Sequence, residues 1–200
     1  MTMSTRSARW LIVPVAAMSL SACGINSVPT KEEAAKAKWA NVENEYQRRV
    51  DLYPNIEALV KGAMNQEKTV FVGVAEARSK ASSIQLTGDD LKDPAKVEQY
   101  QQAQDQYGSA LSRLLVTVEQ YPNLVSPKNV ETAQIQIEGT ENRVSRAREE
   151  YNAAVQDYNT TIRTFPDIIG AKIVHGAQPM VPFKAVTKGA EEAPKMNLGN

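Results

Sequence analysis

One cysteine and one histidine in 200 residues leave little material for disulfide, metal or acid–base chemistry. Cys23 alone forbids an intramolecular disulfide and is too little for a cysteine-based zinc site. Di-metal carboxylate bundles use a Glu-x-x-His pair on each of two helices, which the lone His175 does not supply; it reads as a packed or solvated tail residue. A glycine-rich phosphate loop, a Gly-x-Ser-x-Gly elbow and a His-Glu-x-x-His helix are all missing. These absences argue against an enzyme, a cofactor and a metal. Charge of one sign is not in excess either, with Lys+Arg 23 and Asp+Glu 23. Arg6 and Arg9 are the sole charges in residues 1–22, so the remainder is acidic by about two charges. A nucleic-acid binder needs a basic surplus to neutralise phosphates, and that class is disfavoured.

Long hydrophobic runs are also scarce. The one apolar stretch, Trp10 to Leu20, is interrupted by Pro14 and falls short of the roughly 20 residues that cross a bilayer. It follows the positive Arg6 and Arg9 and ends in Leu20-Ser21-Ala22-Cys23, as a signal peptide with a lipobox does. On this reading residues 1–22 are removed and the Cys23 thiol carries palmitate-type acyl chains. Each buried methylene contributes ~0.8 kcal/mol, so two or more chains anchor the protein permanently in a lipid bilayer. The competing readings are an ordinary signal peptide cut after Ala22, or a short uncleaved anchor. Gly24, where an Asp often signals inner-membrane retention, favours the periplasmic face of the outer membrane. Residues 23–31 are expected to be a flexible tether.

What the chain does have is heptad patterning. Expected helices run over Glu32–Tyr53 (stripe Trp39, Val42, Tyr46, Val50, Tyr53), Asn55–Ser83 (Ile56, Val60, Ala63, Val70, Val74, Ala77, Ala81), Pro94–Tyr121 and Pro127–Arg163. In the third, Val97, Tyr100, Tyr107, Leu111, Leu114, Val118 and Tyr121 hold core positions; in the fourth, Val130, Ile137, Val144, Tyr151, Tyr158 and Phe165 recur every seven residues. A sustained 3.5-residue period implies coiled-coil-like bundle packing. Asp93-Pro94 and Ser126-Pro127 read as N-caps with proline at the first helical position. Tyr53-Pro54, Tyr121-Pro122 and Phe165-Pro166 read as helix ends whose aromatics plug the bundle. The expectation is an all-α, long antiparallel up-down four-helix bundle over 32–166, a packed tail over 167–183 and a disordered tail over 184–200.

Charges interrupt the apolar rows. Glu67 falls in phase with Val60, Val74 and Ala81, Glu141 and Arg148 share a row with Val155 and Ile162, and Arg48-Arg49 flank the first stripe. A buried charge must be paired. The expected network has Arg48 or Arg49 and Arg148 neutralising Glu67 and Glu141, so that Glu67→Ala or Glu141→Ala costs ~3 kcal/mol or more. As a register device this network is structural; as an open carboxylate–guanidinium site it is a ligand-binding or sensory module.

Four stretches together resemble the LemA family of bacterial envelope proteins. They are Arg48-Arg49-Val50-Asp51-Leu52-Tyr53-Pro54-Asn55-Ile56 with Val60-Lys61-Gly62; Glu76-Ala77-Arg78; Glu119-Gln120-Tyr121-Pro122-Asn123-Leu124; and Thr140-Glu141-Asn142-Arg143 through Tyr151-Asn152, Tyr158-Asn159 and Phe165-Pro166. The resemblance implies an all-helical bundle outside the cytoplasmic membrane with no assigned activity or cofactor. It adds Arg78 to the charged positions Arg48, Arg49, Glu67, Glu141 and Arg148. Family members commonly begin with a transmembrane helix, where this chain has the lipobox. The family's gene neighbourhood often includes a membrane zinc protease, which makes a protease one expected partner among envelope proteins. The functional expectation is a non-enzymatic, membrane-anchored scaffold.

Overall fold

The computed structural model describes the backbone of residues 5–184 and the side chains of residues 26–184. The Cys23 side chain, and with it the lipobox, lies outside the described residues, as does the tail over 185–200. The described chain is all-α, with five α-helices and no strand: α1 Thr5–Val60, α2 Lys68–Ser83, α3 Pro94–Val118, α4 Pro127–Thr161 and the short α5 Asp167–Gly170. Single turns of 3-10 helix at Lys61–Ala63 and Asp90–Lys92, and a π turn at Ala171–His175, complete it. Among the described residues no helix is long and apolar enough to cross a membrane.

The heptad rows become the buried faces. Trp39, Val42, Tyr46, Val50, Tyr53, Ile56 and Val60 are all buried on α1, and Val97, Tyr100, Tyr107, Leu111, Leu114 and Val118 on α3. Each such side chain contributes ~1.5–3 kcal/mol of burial. Asp93 caps α3 by accepting from Ala95 N–H at 2.9 Å, and Ser126 caps α4 by accepting from Asn129 N–H at 3.3 Å, each with proline in the first turn. Cross-helix contacts give the directions. Lys31 meets Asp157, Lys38 meets Glu150 and Arg49 meets Glu141, so partner numbers fall along α4 as they rise along α1 and the two run oppositely. Lys80 bonds Gln106 and Glu67 bonds Tyr121, which sets α2 against α3 in the same way.

Four expectations are corrected. First, α1 does not stop at Tyr53-Pro54 but continues to Val60. Proline deprives the carbonyl four residues earlier of its N–H partner; that carbonyl, on Val50, accepts instead from Arg78 Nε at 3.1 Å. Ile56 and Val60, fully buried, hold the helix beyond the proline. The break falls at Lys61–Gln66, where Gly62 meets the turn after α3: a Cβ at Gly62 would stand 1.9 Å from the Leu124 carbonyl oxygen. Second, residues 23–31 are helix rather than flexible tether. Val28 continues the row of Ala35 and Val42 and is buried, and Ser27 bonds Asp167 at the start of α5. Third, Phe165 does not plug the bundle; it is 77 % exposed. Fourth, α2 is short, so Glu67 is not inside a helix but at its N-cap.

The core is in two pieces. One holds Val28, Trp39, Tyr46, Tyr100, Val144 and Tyr151; the other holds Val50, Ile56, Phe71, Tyr107, Leu111 and Ile137. Helix α2 contributes to the second alone. In the first its place is taken by Leu86, Leu91 and the C-terminal segment, whose Met180 and Phe183 are buried. Segment 177–184 is therefore part of the packed body, outside any helix or strand.

Candidate functional site

Between the two apolar pieces lies a polar layer to which all four long helices contribute. Arg49 of α1, 3 % exposed, donates through Nη1 to Glu141 of α4 at 2.9 and 3.2 Å. Its Nη2 donates to the backbone oxygen and the Oε1 of Gln104 of α3 at 2.7 and 2.8 Å. Gln104 in turn donates to the Ala81 carbonyl of α2 at 3.1 Å. The guanidinium lies between the rings of Tyr46 and Tyr107, 5.0 and 5.2 Å from their centroids, a favourable cation–π arrangement in a desolvated place. Gly108 leaves the room: a Cβ there would approach Arg49 Nη1 to 3.1 Å.

An open cleft of about 920 Å³ between α3 and α4 exposes one side of this layer, lined by Asp105, Gly108, Glu141, Arg148 and Phe183 besides Arg49. Arg148 pairs there with Asp105 at 3.2 Å and lies over the Phe183 ring, 4.7 Å from its centroid. Of the six charges singled out from sequence, the structure thus brings Arg49 and Glu141 together and sets Arg148 beside them with a different carboxylate. Arg48 is exposed, 3.9 Å from Glu45. Glu67, half-buried, accepts from the Tyr121 hydroxyl and meets no arginine. Arg78 caps the Val50 carbonyl and lies over Tyr53. Among the described residues no group of three or more His, Cys, Asp or Glu side chains could hold a metal ion. His175 lies on the exposed π turn.

A second constellation joins the tail expected to pack over 167–183 to the Tyr-Asn doublets, a pairing that no sequence expectation named. Helix α4 carries a Tyr-Asn doublet twice, seven residues apart, and both doublets grip segment 177–184. Asn159 accepts from Met180 N–H at 2.9 Å and donates to its carbonyl at 2.8 Å. Asn152 does the same for Phe183, at 2.8 and 3.1 Å. Gln101 of α3 repeats the pattern on Lys184, at 3.2 and 2.9 Å. Tyr158 donates to the Gln178 carbonyl and Tyr151 to that of Val181, each at 3.0 Å. Burial keeps these phenols protonated, pushing Tyr158 up to about 12 and Tyr151 further. Phe183 stacks on Trp39 at 5.7 Å and meets Tyr151 edge-on at 5.5 Å.

Both constellations fall inside residues 38–198, which match the model of the LemA family. The chain belongs to the LemA family. No curated protein matches it. In this LemA-family chain the stretches quoted for the resemblance supply most of both sites: Arg49 and Glu141 in the polar layer, Arg78 at the Val50 carbonyl, and the Tyr151-Asn152 and Tyr158-Asn159 doublets. Gln104 and Gln101 come from outside them. Gln104 stands on the seven-residue row of Val97, Leu111 and Val118, so the same signal that exposes Glu141 is available for it.

Proposed function

We propose that this LemA-family chain is a membrane-anchored, non-enzymatic interaction protein of the bacterial envelope: an up-down antiparallel four-helix bundle, cut before Cys23 and held by acyl chains on that thiol to the periplasmic face of a membrane, the outer one by the Gly24 argument. The observation that carries the reading is an apolar crown at one end. Phe165, Ile169, Ile173 and Val174 are 77, 51, 79 and 58 % exposed. They lie on and around α5, which the Ser27–Asp167 bond sets beside the first residues of α1 whose side chains are described. Exposed aliphatic and aromatic groups accompanied by exposed cations, here Arg163 and Lys172, suit the lipid interface. An anchor at Cys23, three residues before Asn26, would bring that end to the bilayer.

Mass spectrometry of protein from its own membranes should find an acyl-modified Cys23 at the N-terminus, and Cys23→Ser should leave an unlabelled precursor. A mature N-terminus elsewhere would overturn the anchoring. Crosslinking from those membranes should capture envelope proteins, a membrane protease among the candidates. The cleft at Arg49, Glu141 and Arg148 supports a second reading, a ligand-binding or sensory module for a small polar molecule. Under it, a metabolite panel contains a compound that raises the melting temperature of the wild type and not of Arg148→Met.

A further inference from the structure

We propose that the groove formed by Trp39, Gln101, Arg148 and the two Tyr-Asn doublets is a binding site for an extended, proline-bearing peptide of a partner protein, and that residues 178–184 occupy it in cis as an exchangeable strap. This deepens the reading of the chain as an interaction protein, giving that role a site and a ligand chemistry. It does not rest on the lipid anchor.

The recognition is of backbone. Three side-chain amides, from Asn159, Asn152 and Gln101, each accept an N–H and donate to the C=O of one strap residue, and the two tyrosines take further carbonyls. Such bonds read an extended conformation and not particular side chains. Their spacing fits an extended chain, three residues of which rise ~9–10 Å, and the side-chain period selects polyproline II among extended forms. Seven residues of α-helix rise ~10.5 Å; three residues of polyproline II rise ~9.3 Å. Asn159 and Asn152 therefore fall opposite residues three apart, Met180 and Phe183. A three-residue period also turns those two side chains to the same side, and both are buried while Pro179, Pro182 and Lys184 are exposed. The prolines occupy the two positions of 179–184 at which no N–H is gripped. Met180, Val181, Phe183 and Lys184 each donate one, that of Val181 going to the Leu91 carbonyl at 2.9 Å. Prolines preorganise the conformation the groove accepts and lower the ordering cost of binding. The ligand chemistry follows: proline, large flexible apolar residue, any residue, proline, aromatic, with the aromatic seated between Trp39, Tyr151 and the Arg148 guanidinium.

The occupant is held as a ligand is held. Its leash, residues 172–176, is exposed throughout and turns at Gly176, which has a left-handed φ of 54°. It covers the half of the bundle that α2 does not reach, so a partner peptide of the same pattern can replace it without disturbing a helix–helix contact.

The test uses the full chain carrying Met180→Ser and Phe183→Ser, which alters the strap and leaves the groove intact. A fluorescent peptide of the native 177–184 sequence should bind this variant at least tenfold tighter than it binds the wild type, whose groove is filled. Adding Asn152→Ala and Asn159→Ala should abolish that binding, and a peptide with serine at both anchor positions should bind neither protein. Equal binding of native and serine peptides would overturn the proposal. Hydrogen exchange on the wild type provides a readout independent of any variant's folding. The amides of Met180, Phe183 and Lys184 should exchange at least tenfold faster than those of Tyr151 and Val155. Exchange of both sets at one common rate would make the strap a fixed part of the core and refute the idea. A concentration-dependent wild-type dimer that the native peptide dissociates would assign the groove to a second copy and overturn the partner assignment.

Discussion

Replacing Arg49 by methionine tests the polar layer. Methionine keeps much of the stem volume between Tyr46 and Tyr107, so the loss is chiefly of the guanidinium. That group, 3 % exposed, supplies two bonds to Gln104 at 2.7 and 2.8 Å and one pair to Glu141. Without it the Gln104 Oε1 faces an apolar side chain, while the Gln104 backbone carbonyl, in the middle of α3, keeps its helical bond; a buried acceptor left unmatched costs ~1–3 kcal/mol. A cation–π contribution of up to ~2 kcal/mol is lost as well. Against this stands the relief of a buried charge, and the Glu141 carboxylate left behind is exposed enough to be solvated, so the net expectation is a destabilisation of ~2–4 kcal/mol. Glu141→Gln is the informative counterpart. The Glu141 side chain is 39 % exposed at the mouth of the cleft, water can take its place on Nη1, and Arg49 keeps both bonds to Gln104. Its cost should be ~1 kcal/mol, because the buried guanidinium keeps its Gln104 bonds and gains an amide or water oxygen in place of the carboxylate, below the ~3 kcal/mol or more expected from sequence periodicity for Glu141→Ala. Urea melts followed by helical circular dichroism give both values from the midpoint at unchanged slope. Equal costs for the two variants, or less than about 1 kcal/mol for Arg49→Met, would mean that Gln104 and the tyrosines do not hold the guanidinium as described.

Gly62→Ala sets a methyl 1.9 Å from the Leu124 carbonyl oxygen, so one of the two turns must move; a loss of at least ~2 kcal/mol is expected by thermal melting. Arg78→Met leaves the Val50 carbonyl unmatched beside Pro54 and should cost ~1–3 kcal/mol in the wild type. The cost should be smaller in a Pro54→Ala background, where the backbone N–H gained at that position restores the helical bond; a double-mutant cycle reads the coupling. Glu67→Ala, at a half-buried N-cap with a tyrosine partner, should cost ~1 kcal/mol or less in the same melts. Tyr158 is raised by burial from 10.0 to about 12, so the folded state holds its proton more tightly than the unfolded chain. Its contribution is then complete below pH 10 and is lost as pH rises from 10 towards 12. Melts across that window should show the loss, and Tyr158→Phe should make it shallower by one group's share, the buried Tyr46, Tyr100, Tyr107 and Tyr151 supplying the rest.

The helices are legible because the apolar rows recur at 3.5 residues and because Asp93-Pro94 and Ser126-Pro127 carry their own start signals. Pro54 misleads for a physical reason. The local rule that proline ends a helix is overridden when a distant donor, Arg78, satisfies the freed carbonyl and buried Ile56 and Val60 hold the next turn. The misplacement then propagates. A break at residue 54 makes Val60, Glu67 and Val74 one row of one helix. With the break at 61–66 the phase restarts, and Glu67 lands at a cap instead of in the core.

The polar layer is half-legible: a charge on an apolar row announces itself, whereas Gln104 on the Val97–Leu111 row is a quieter signal. Of the strap groove, the apolar tail over 167–183 announces that it packs on the bundle but not where or through which groups. Periodicity finds partners that are themselves periodic helices, and the partner of the Tyr-Asn doublets is an extended segment held by its backbone. What does follow from periodicity is that something must lie there. Helix α2, starting at Lys68, reaches the second apolar piece alone, so Trp39, Tyr100 and Tyr151 face a side with no helix. Three aromatic groups with an open flank, beside side-chain amides repeating every seven residues, require a covering chain that offers both apolar anchors and free backbone groups. An amphipathic helix offers the first and withholds the second, its amides and carbonyls being bonded internally. An extended segment offers both, which is why the fourth wall of that half is a strap.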